Sequence, residues 1–200
     1  KPRQSNLYMQ LAKKIKHTNW EGVLVTINYE RLLELSLSVV GIRPVINRPI
    51  NDKDEIELCL PHGSCHIFCE SVKAASSMVT FNANVVGING DLRLIDNPIE
   101  YRDRIESDAI PPVMSYFEPE KRTTSGTSFI REQRSRLREI TRLAEKVAIV
   151  GVRVRPTDTH IWDPLARTEA KLIYCAGLDA GREFANWIDQ SRRNKEDIVL

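Results

Sequence analysis

"VLVTINYERLLELSL", Val23 to Leu37, passes from an apolar, β-branched run through a polar cluster into leucines at helical spacing. Val23 to Ile27 reads as a strand. Leu32, Leu33, Leu35, Val39 and Val40 then give the next segment an apolar side, and Gly41 with Pro44 stops it. Strand, short turn and helix in that order suit a parallel sheet with helices on its faces. Upstream, Leu7, Leu11 and Ile15 fall four residues apart, the spacing of one helical face, until Asn19 and Gly22 break the pattern.

Downstream, Ile56 to Leu60 sets apolar residues around the acidic Glu57 and stops at Pro61, so a strand is expected to lead into a loop at His62. "VVGINGDLRLI", Val85 to Ile95, carries Asn89-Gly90 between two β-rich runs, the signature of a type I′ hairpin, and predicts a small β-hairpin insertion over 78–97. "PPVMSYFEPEKRTTSG", Pro111 to Gly126, is an extended loop of a length that is often functional. Ile130, Leu137, Ile140, Ala144 and Val147 then mark a helix. Its arginines (Arg131, Arg134, Arg136, Arg138, Arg142) alternate with glutamates, which favours a solvated face over a nucleic-acid contact. "VAIVGV" from Val147 reads as a continuous buried strand, "KLIYCA" from Lys171 as another, and Ala180 to Gln190 as an amphipathic helix. The expected fold is α/β, a doubly wound, Rossmann-like parallel sheet with helices on both faces, in one domain over 1–200.

With 42% hydrophobic residues in 200, the chain can bury a real core. A formal net charge of +2 gives no global pull toward nucleic acid or membrane. No apolar run is long enough to span a bilayer, and the first residues are basic and polar without a signal-peptide pattern, so a cytoplasmic protein with reduced thiols is expected. The chain opens at Lys1 within what reads as a charged helix, and further residues are expected before it.

Three polar clusters fall where predicted strands end, the place where open parallel sheets bind ligands: Thr26 to Glu30, His62 to Ser64, and Gly151 to Asp158. Asn28 either caps the following helix or offers a carboxamide to a ligand hydroxyl or water. Tyr29 is expected to pack its ring, and Glu30 to sit in the first helical turn, where the dipole favours a carboxylate. His62 is either a solvated loop residue or, since it titrates near neutrality, the chain's best general base. Cys59, Cys65 and Cys69 with His62 and His66 lack the C-x-x-C clip of a zinc site, and Cys175 falls in a predicted buried strand, so small apolar side chains are the expected role.

Taken together the clusters resemble the sirtuin-like family. "VTINYERLLELSL" is similar to its T-T-N-Y-D-x-L-L-E segment, "LPHGS" to its K-L-H-G-S, and "KVAIVGVRVRPTDTHIW" to its closing A-x-x-I-x-I-I-G-Y-S-L-x-x-x-D-x-H, with "PPVMSYFEPEK" between the second and third. The order holds over about Gly22 to Ala176. The resemblance implies an NAD-hydrolysing domain of the bacterial anti-phage defence type, which releases ADP-ribose and nicotinamide and needs no metal. Asn28 and His62 would be catalytic. Thr26, Tyr29, Glu30, Gly63, Ser64, Gly151, Val152 and Asp158 would bind the nucleotide, with Gly151 and Asp158 in the loop on its ribose and adenine side. The family often works with a sensor, an Argonaute-like protein or an ATPase, fused or separate, and a homo-oligomer is open. Three positions depart from the pattern: Glu30 stands for aspartate, Pro61 precedes the histidine, and Arg153 stands where serine is common. The family's G-A-G-x-S loop would fall before Lys1. An NAD-dependent deacylase and a catalytically weak NAD or ADP-ribose sensing module are the alternatives, beside an unrelated α/β domain whose strand-end residues are caps and turns.

Overall fold

The computed structural model describes residues 6–18, 20–70, 79–82, 85–108, 110–116, 123–192 and 197–200. The chain divides into two compact units, Lys1–Gln133 and Arg134–Leu200. In chain order the first holds α1 (Leu7–Thr18), β1 (Val23–Val25), α2 (Leu32–Val39), β2 (Arg43–Val45), β3 (Glu55–Cys59), β4 (Ile67–Glu70), β5 (Val79–Asn82), β6 (Val85–Ile88), β7 (Asp91–Leu94) and α3 (Pro98–Ser107). The boundary falls within α4 (Thr127–Leu143), and the second unit continues with β8 (Lys146–Val150), α5 (Thr159–Arg167), β9 (Lys171–Cys175), α6 (Leu178–Ser191) and β10 (Ile198–Val199).

The fold is α/β with parallel sheets. In the first unit β3 is the central strand of a three-stranded parallel sheet, order β1-β3-β2, with Val25 opposite Cys59 and Val45 opposite Glu57. Pro44 is tolerated in β2 because β2 is an edge strand. Leu33, Leu37, Ile42, Ile56, Leu58 and Leu60 are buried in one cluster with Ala12 and Ile15. Removing each such large side chain from water contributes about 1.5–3 kcal/mol.

The buried faces differ from those read off the spacing. In α1 the buried residues are Met9, Ala12 and Ile15, while Leu7 and Leu11 are exposed; α1 packs on α2, and the small Ala12 lies on the contact side. In α2 Leu33 and Leu37 are buried and Leu32, Leu35 and Val39 exposed. Two apolar stripes compete on each helix, and the sequence does not say which one is buried.

The Asn89-Gly90 hairpin does not form. β6 pairs antiparallel with β5, and β7 pairs antiparallel with β4, so Asn89 and Gly90 carry the chain from one ribbon to another. Neither residue takes the positive φ that a type I′ turn requires. The Asn89 carboxamide oxygen instead accepts hydrogen bonds from the Thr127 hydroxyl at 3.0 Å and the Ser128 amide at 2.8 Å, satisfying the start of α4. Parts of the 78–97 segment and of the Pro111–Gly126 loop lie outside the described residues. α3 carries no buried apolar stripe to betray it, but its start is legible: Asn97 caps Ile99 and Glu100, with Pro98 at the first helical position.

In the second unit β9 is central in a parallel sheet of order β10-β9-β8. β8 is an edge strand with only Ile149 buried, so the apolar run at Val147 is not the continuously buried strand its composition predicts. Cys175, at the end of β9, is exposed. The four cysteines form no disulfide. Tyr174 stacks on Phe184 with centroids 4.0 Å apart, and Trp162 and Trp187 complete the aromatic core.

Arg192, just past α6, fastens this unit. It pairs with Asp197 at 2.7 Å, with both side chains buried, and donates to the carbonyls of Leu165, Thr168 and Ala170. Removing one member of a buried pair strands the other charge, so Arg192→Ala is expected to destabilise the protein by about 3–5 kcal/mol, read from chemical denaturation. A loss below about 1 kcal/mol would show that the clamp contributes no more than an exposed ion pair.

Candidate functional site

Two loops leave the carboxyl ends of neighbouring parallel strands in the first unit. The β1–β3 ladder extends one rung past β1, where the Thr26 amide donates to the Cys59 carbonyl at 3.1 Å. Thr26 is buried, and its hydroxyl accepts from the Asn28 amide at 3.2 Å, a local bond that turns the chain outward. Asn28 is exposed at the tip.

Asn28 does not cap α2. Its Nδ2 donates to the Tyr8 hydroxyl at 2.7 Å. The N-cap position is Arg31, and the Leu32 amide is taken by Glu30 Oε2 at 2.6 Å; Glu30 therefore sits just before the helix and not within its first turn. The Tyr8 hydroxyl lies 3.3 Å from Glu30 Oε1. Burial, and next the Glu30 carboxylate, push the Tyr8 phenol above its ordinary range, so it stays protonated at neutral pH.

The second loop begins where β3 ends. The Leu60 amide donates to the Gln133 carboxamide at 2.5 Å, and the other end of that carboxamide donates to Asn47. Pro61 has no N–H to give, which makes Leu60 the last backbone donor before the histidine. His62 is only 3% exposed. Its Nδ1 lies 3.2 Å from the Ile27 carbonyl, and its ring stacks on Tyr29 with centroids 6.1 Å apart. A carbonyl can only accept, so in neutral His62 the proton sits on Nδ1 and the lone pair on Nε2. Tyr29 thus packs its ring, as its position predicts, but against the histidine.

Gly63 and Ser64 fix the loop. Gly63 has φ +78°, and a Cβ there would lie 2.0 Å from the Val113 carbonyl oxygen. The close approach is the antiparallel bridge between Gly63 and Met114, in which the Ser64 amide donates to the Val113 carbonyl and the Ser115 amide to the His62 carbonyl, both at 2.9 Å. Ser64 is buried, its hydroxyl 3.4 Å from the Tyr29 carbonyl, which also accepts from the Cys65 amide at 3.0 Å. Seven of the expected site residues, Thr26, Asn28, Tyr29, Glu30, His62, Gly63 and Ser64, therefore belong to one hydrogen-bonded pair of loops.

Gly151, Val152 and Asp158 lie in the second unit. Gly151 has φ +68° and its amide donates to the Cys175 carbonyl at 2.9 Å; the Val152 carbonyl accepts from the Tyr174 hydroxyl at 2.6 Å. Asp158 is buried just ahead of α5 and makes no side-chain cap there. Arg153 is engaged by Glu183, its Nε donating at 2.8 Å.

Two further groups flank the His62 loop. Cys65 Sγ lies 3.0 Å from His66 Nδ1, and His66 stacks on Tyr101. Burial raises the Cys65 thiol and lowers His66, which keeps both neutral and argues against a reactive thiolate. Among the described residues no group of three or more His, Cys, Asp or Glu side chains is placed to hold a metal ion. Glu34 is 4% exposed with Oε2 unpartnered, and burial raises its carboxyl above the usual range against the partial offset of its own backbone amide and Arg31.

Tyr8, Gln133 and the Val113–Ser115 segment are the members that strand-end reasoning misses. Val113–Ser115 falls in the Pro111–Gly126 loop that its length marks as functional, whereas Tyr8 and Gln133 carry no signal beyond a polar group at a position expected to be helical. No protein-family model matches this chain, and no curated protein is significantly similar to it.

Gly63→Ala is expected to cost roughly 1–3 kcal/mol or more in denaturation, from a left-handed backbone and the clash with Val113 together. Native-like stability in that variant would mean that the bridge to Met114 opens easily. Glu34 holds its proton more tightly folded than unfolded, so its contribution is most favourable below the ordinary glutamate pKa and is lost as pH rises through the raised folded value. Glu34→Gln should therefore gain stability relative to wild type as pH rises above the ordinary glutamate pKa, where the carboxyl of the unfolded chain is ionised. Parallel pH profiles for the two proteins would refute that reading.

Proposed function

We propose that this chain is a sirtuin-like NAD hydrolase domain that releases ADP-ribose and nicotinamide, with His62 as general base and Asn28 as the residue that orients the attacking water or a ribose hydroxyl. The observation that carries the reading is the hydrogen bond between His62 Nδ1 and the Ile27 carbonyl. It binds a buried imidazole to the residue before Asn28, at the carboxyl ends of adjacent parallel strands, where ligands of open α/β sheets sit. The same bond leaves the Nε2 lone pair as the basic one.

Cleavage of the nicotinamide–ribose bond proceeds through an oxocarbenium-like transition state, as glycoside hydrolysis does. The leaving nicotinamide is cationic in NAD, so no acid is needed. The C1′–N bond breaks with its electron pair staying on nicotinamide, water oxygen bonds to C1′, and the water proton passes to His62 Nε2 and then to solvent. Thr26 and Glu30 shape the turn that presents Asn28; Gly63 and Ser64 hold the histidine's backbone. Roles for Gly151, Val152 and Asp158 in holding the nucleotide, a Rossmann-like doubly wound architecture, a cytoplasmic place in anti-phage defence, a sensor partner of Argonaute-like or ATPase type, and a homo-oligomer belong to the same proposal and rest on the resemblance.

The test is nicotinamide release from NAD by the full protein. His62→Ala is expected to lose roughly a hundred- to ten-thousand-fold in kcat, the usual contribution of a positioned base. Asn28→Ala should lower kcat more than it raises KM. Undiminished turnover in His62→Ala would remove the histidine from the mechanism. Binding of ADP-ribose without turnover in wild type would make the chain a sensing module.

A further inference from the structure

We propose that Tyr8 is a positioning residue of this site, part of a hydrogen-bond relay from Glu30 through Tyr8 to Asn28 that turns the Asn28 carboxamide so that its oxygen, and not its NH2, meets the ligand. The identity of the ligand rests on the NAD reading. The relay itself rests only on the chain's own atoms.

The polarity of the relay follows from counting protons. The Glu30 carboxylate can only accept. Its Oε2 takes the Leu32 amide and its Oε1 faces the Tyr8 hydroxyl, so the single hydroxyl proton goes to Glu30. Having given that proton, the Tyr8 oxygen can only accept from its other neighbour, Asn28 at 2.7 Å. A carboxamide has one face that donates, and that face must be the one turned to Tyr8. Asn28 Oδ1 is then directed away, and the residue is exposed. Among the described residues no other side chain orients this amide, whose two ends are nearly the same size and exchange by a simple flip.

The consequence is a choice of ligand group. An outward oxygen accepts from a hydroxyl or a water, and would face a ligand carbonyl or phosphate oxygen unfavourably. A water that gives one proton to this oxygen keeps its own lone pairs to attack. Tyr8 comes from α1, before either strand-end motif, and carries no motif of its own.

Two near-isosteric variants separate this relay from a packing role. Tyr8→Phe keeps the ring and removes the hydroxyl. Glu30→Gln keeps the bond at Leu32, because its carboxamide oxygen can take the Leu32 amide, but it then offers an N–H to Tyr8. The Tyr8 hydroxyl would turn and donate to Asn28 Oδ1, reversing the amide. In the ligand-free full protein, the Asn28 side-chain NH2 resonances, assigned by their loss in Asn28→Ala, are expected to shift and to exchange faster with solvent in both variants. In NAD hydrolysis kcat should fall about two- to tenfold in Tyr8→Phe, the range of one net hydrogen bond, with KM changed less, and at least as far in Glu30→Gln. Unchanged Asn28 resonances in Tyr8→Phe, or wild-type kcat in Glu30→Gln, would overturn the relay. If wild type neither turns over NAD nor binds ADP-ribose, the NAD reading fails, and the resonances still decide the relay.

Discussion

The bond from the Thr26 amide to the Cys59 carbonyl is the last rung of the β1–β3 ladder, and both site loops start from it. Because parallel strands point the same way, their polar turns emerge side by side at one edge of the sheet. One loop turns outward at Thr26 and the other returns inward at Gly63. The carbonyls of Ile27 and Tyr29 then become acceptors for His62, Cys65 and Ser64. Slipping β1 by one residue against β3 would invert which side chains face the core and separate these acceptors from their donors. The register of two short strands thus sets the site's geometry before any ligand group is considered.

Each loop is rigidified by a different device. The His62 loop relies on backbone: a left-handed glycine, a bridge to Met114 and the Gln133 carboxamide that receives the Leu60 amide. The Asn28 loop relies on side chains: the Thr26 hydroxyl, the Glu30 carboxylate and Tyr8. The buried histidine and the exposed asparagine match that division. In the proposed mechanism the base would benefit from a dry surrounding that settles its tautomer, whereas the residue that meets the ligand would have to stay reachable.

Much of this was legible in the sequence, and the limits have physical causes. Strand-then-turn order at Val23 and Ile56 places Asn28 and His62 correctly, because polar residues directly after an apolar β-rich run have few other places to go. Which leucines are buried was not legible: Leu7, Leu11, Leu32, Leu35 and Val39 have the right period and lie outward, since period fixes a stripe only up to rotation about the helix axis. The Asn89-Gly90 pair misleads because the same carboxamide that favours a tight turn also serves a helix start, and the tertiary partner at Thr127 decides. Tyr8 and Gln133 escape because their roles depend on partners 20 and 73 residues away, a relation that local pattern does not encode.

Those separations also govern when the site can come into being during synthesis. Closing a long loop costs entropy before its contacts return any, so pairings distant along the chain form late. The Leu60 amide donates to Gln133, and the His62 carbonyl accepts from the Ser115 amide. A chain growing from the ribosome can lay down β1, α2 and β3 and still lack both fasteners of the histidine loop. The first unit must emerge almost in full before His62 is held in place, which delays any activity at this site until the nascent chain has cleared its own scaffold.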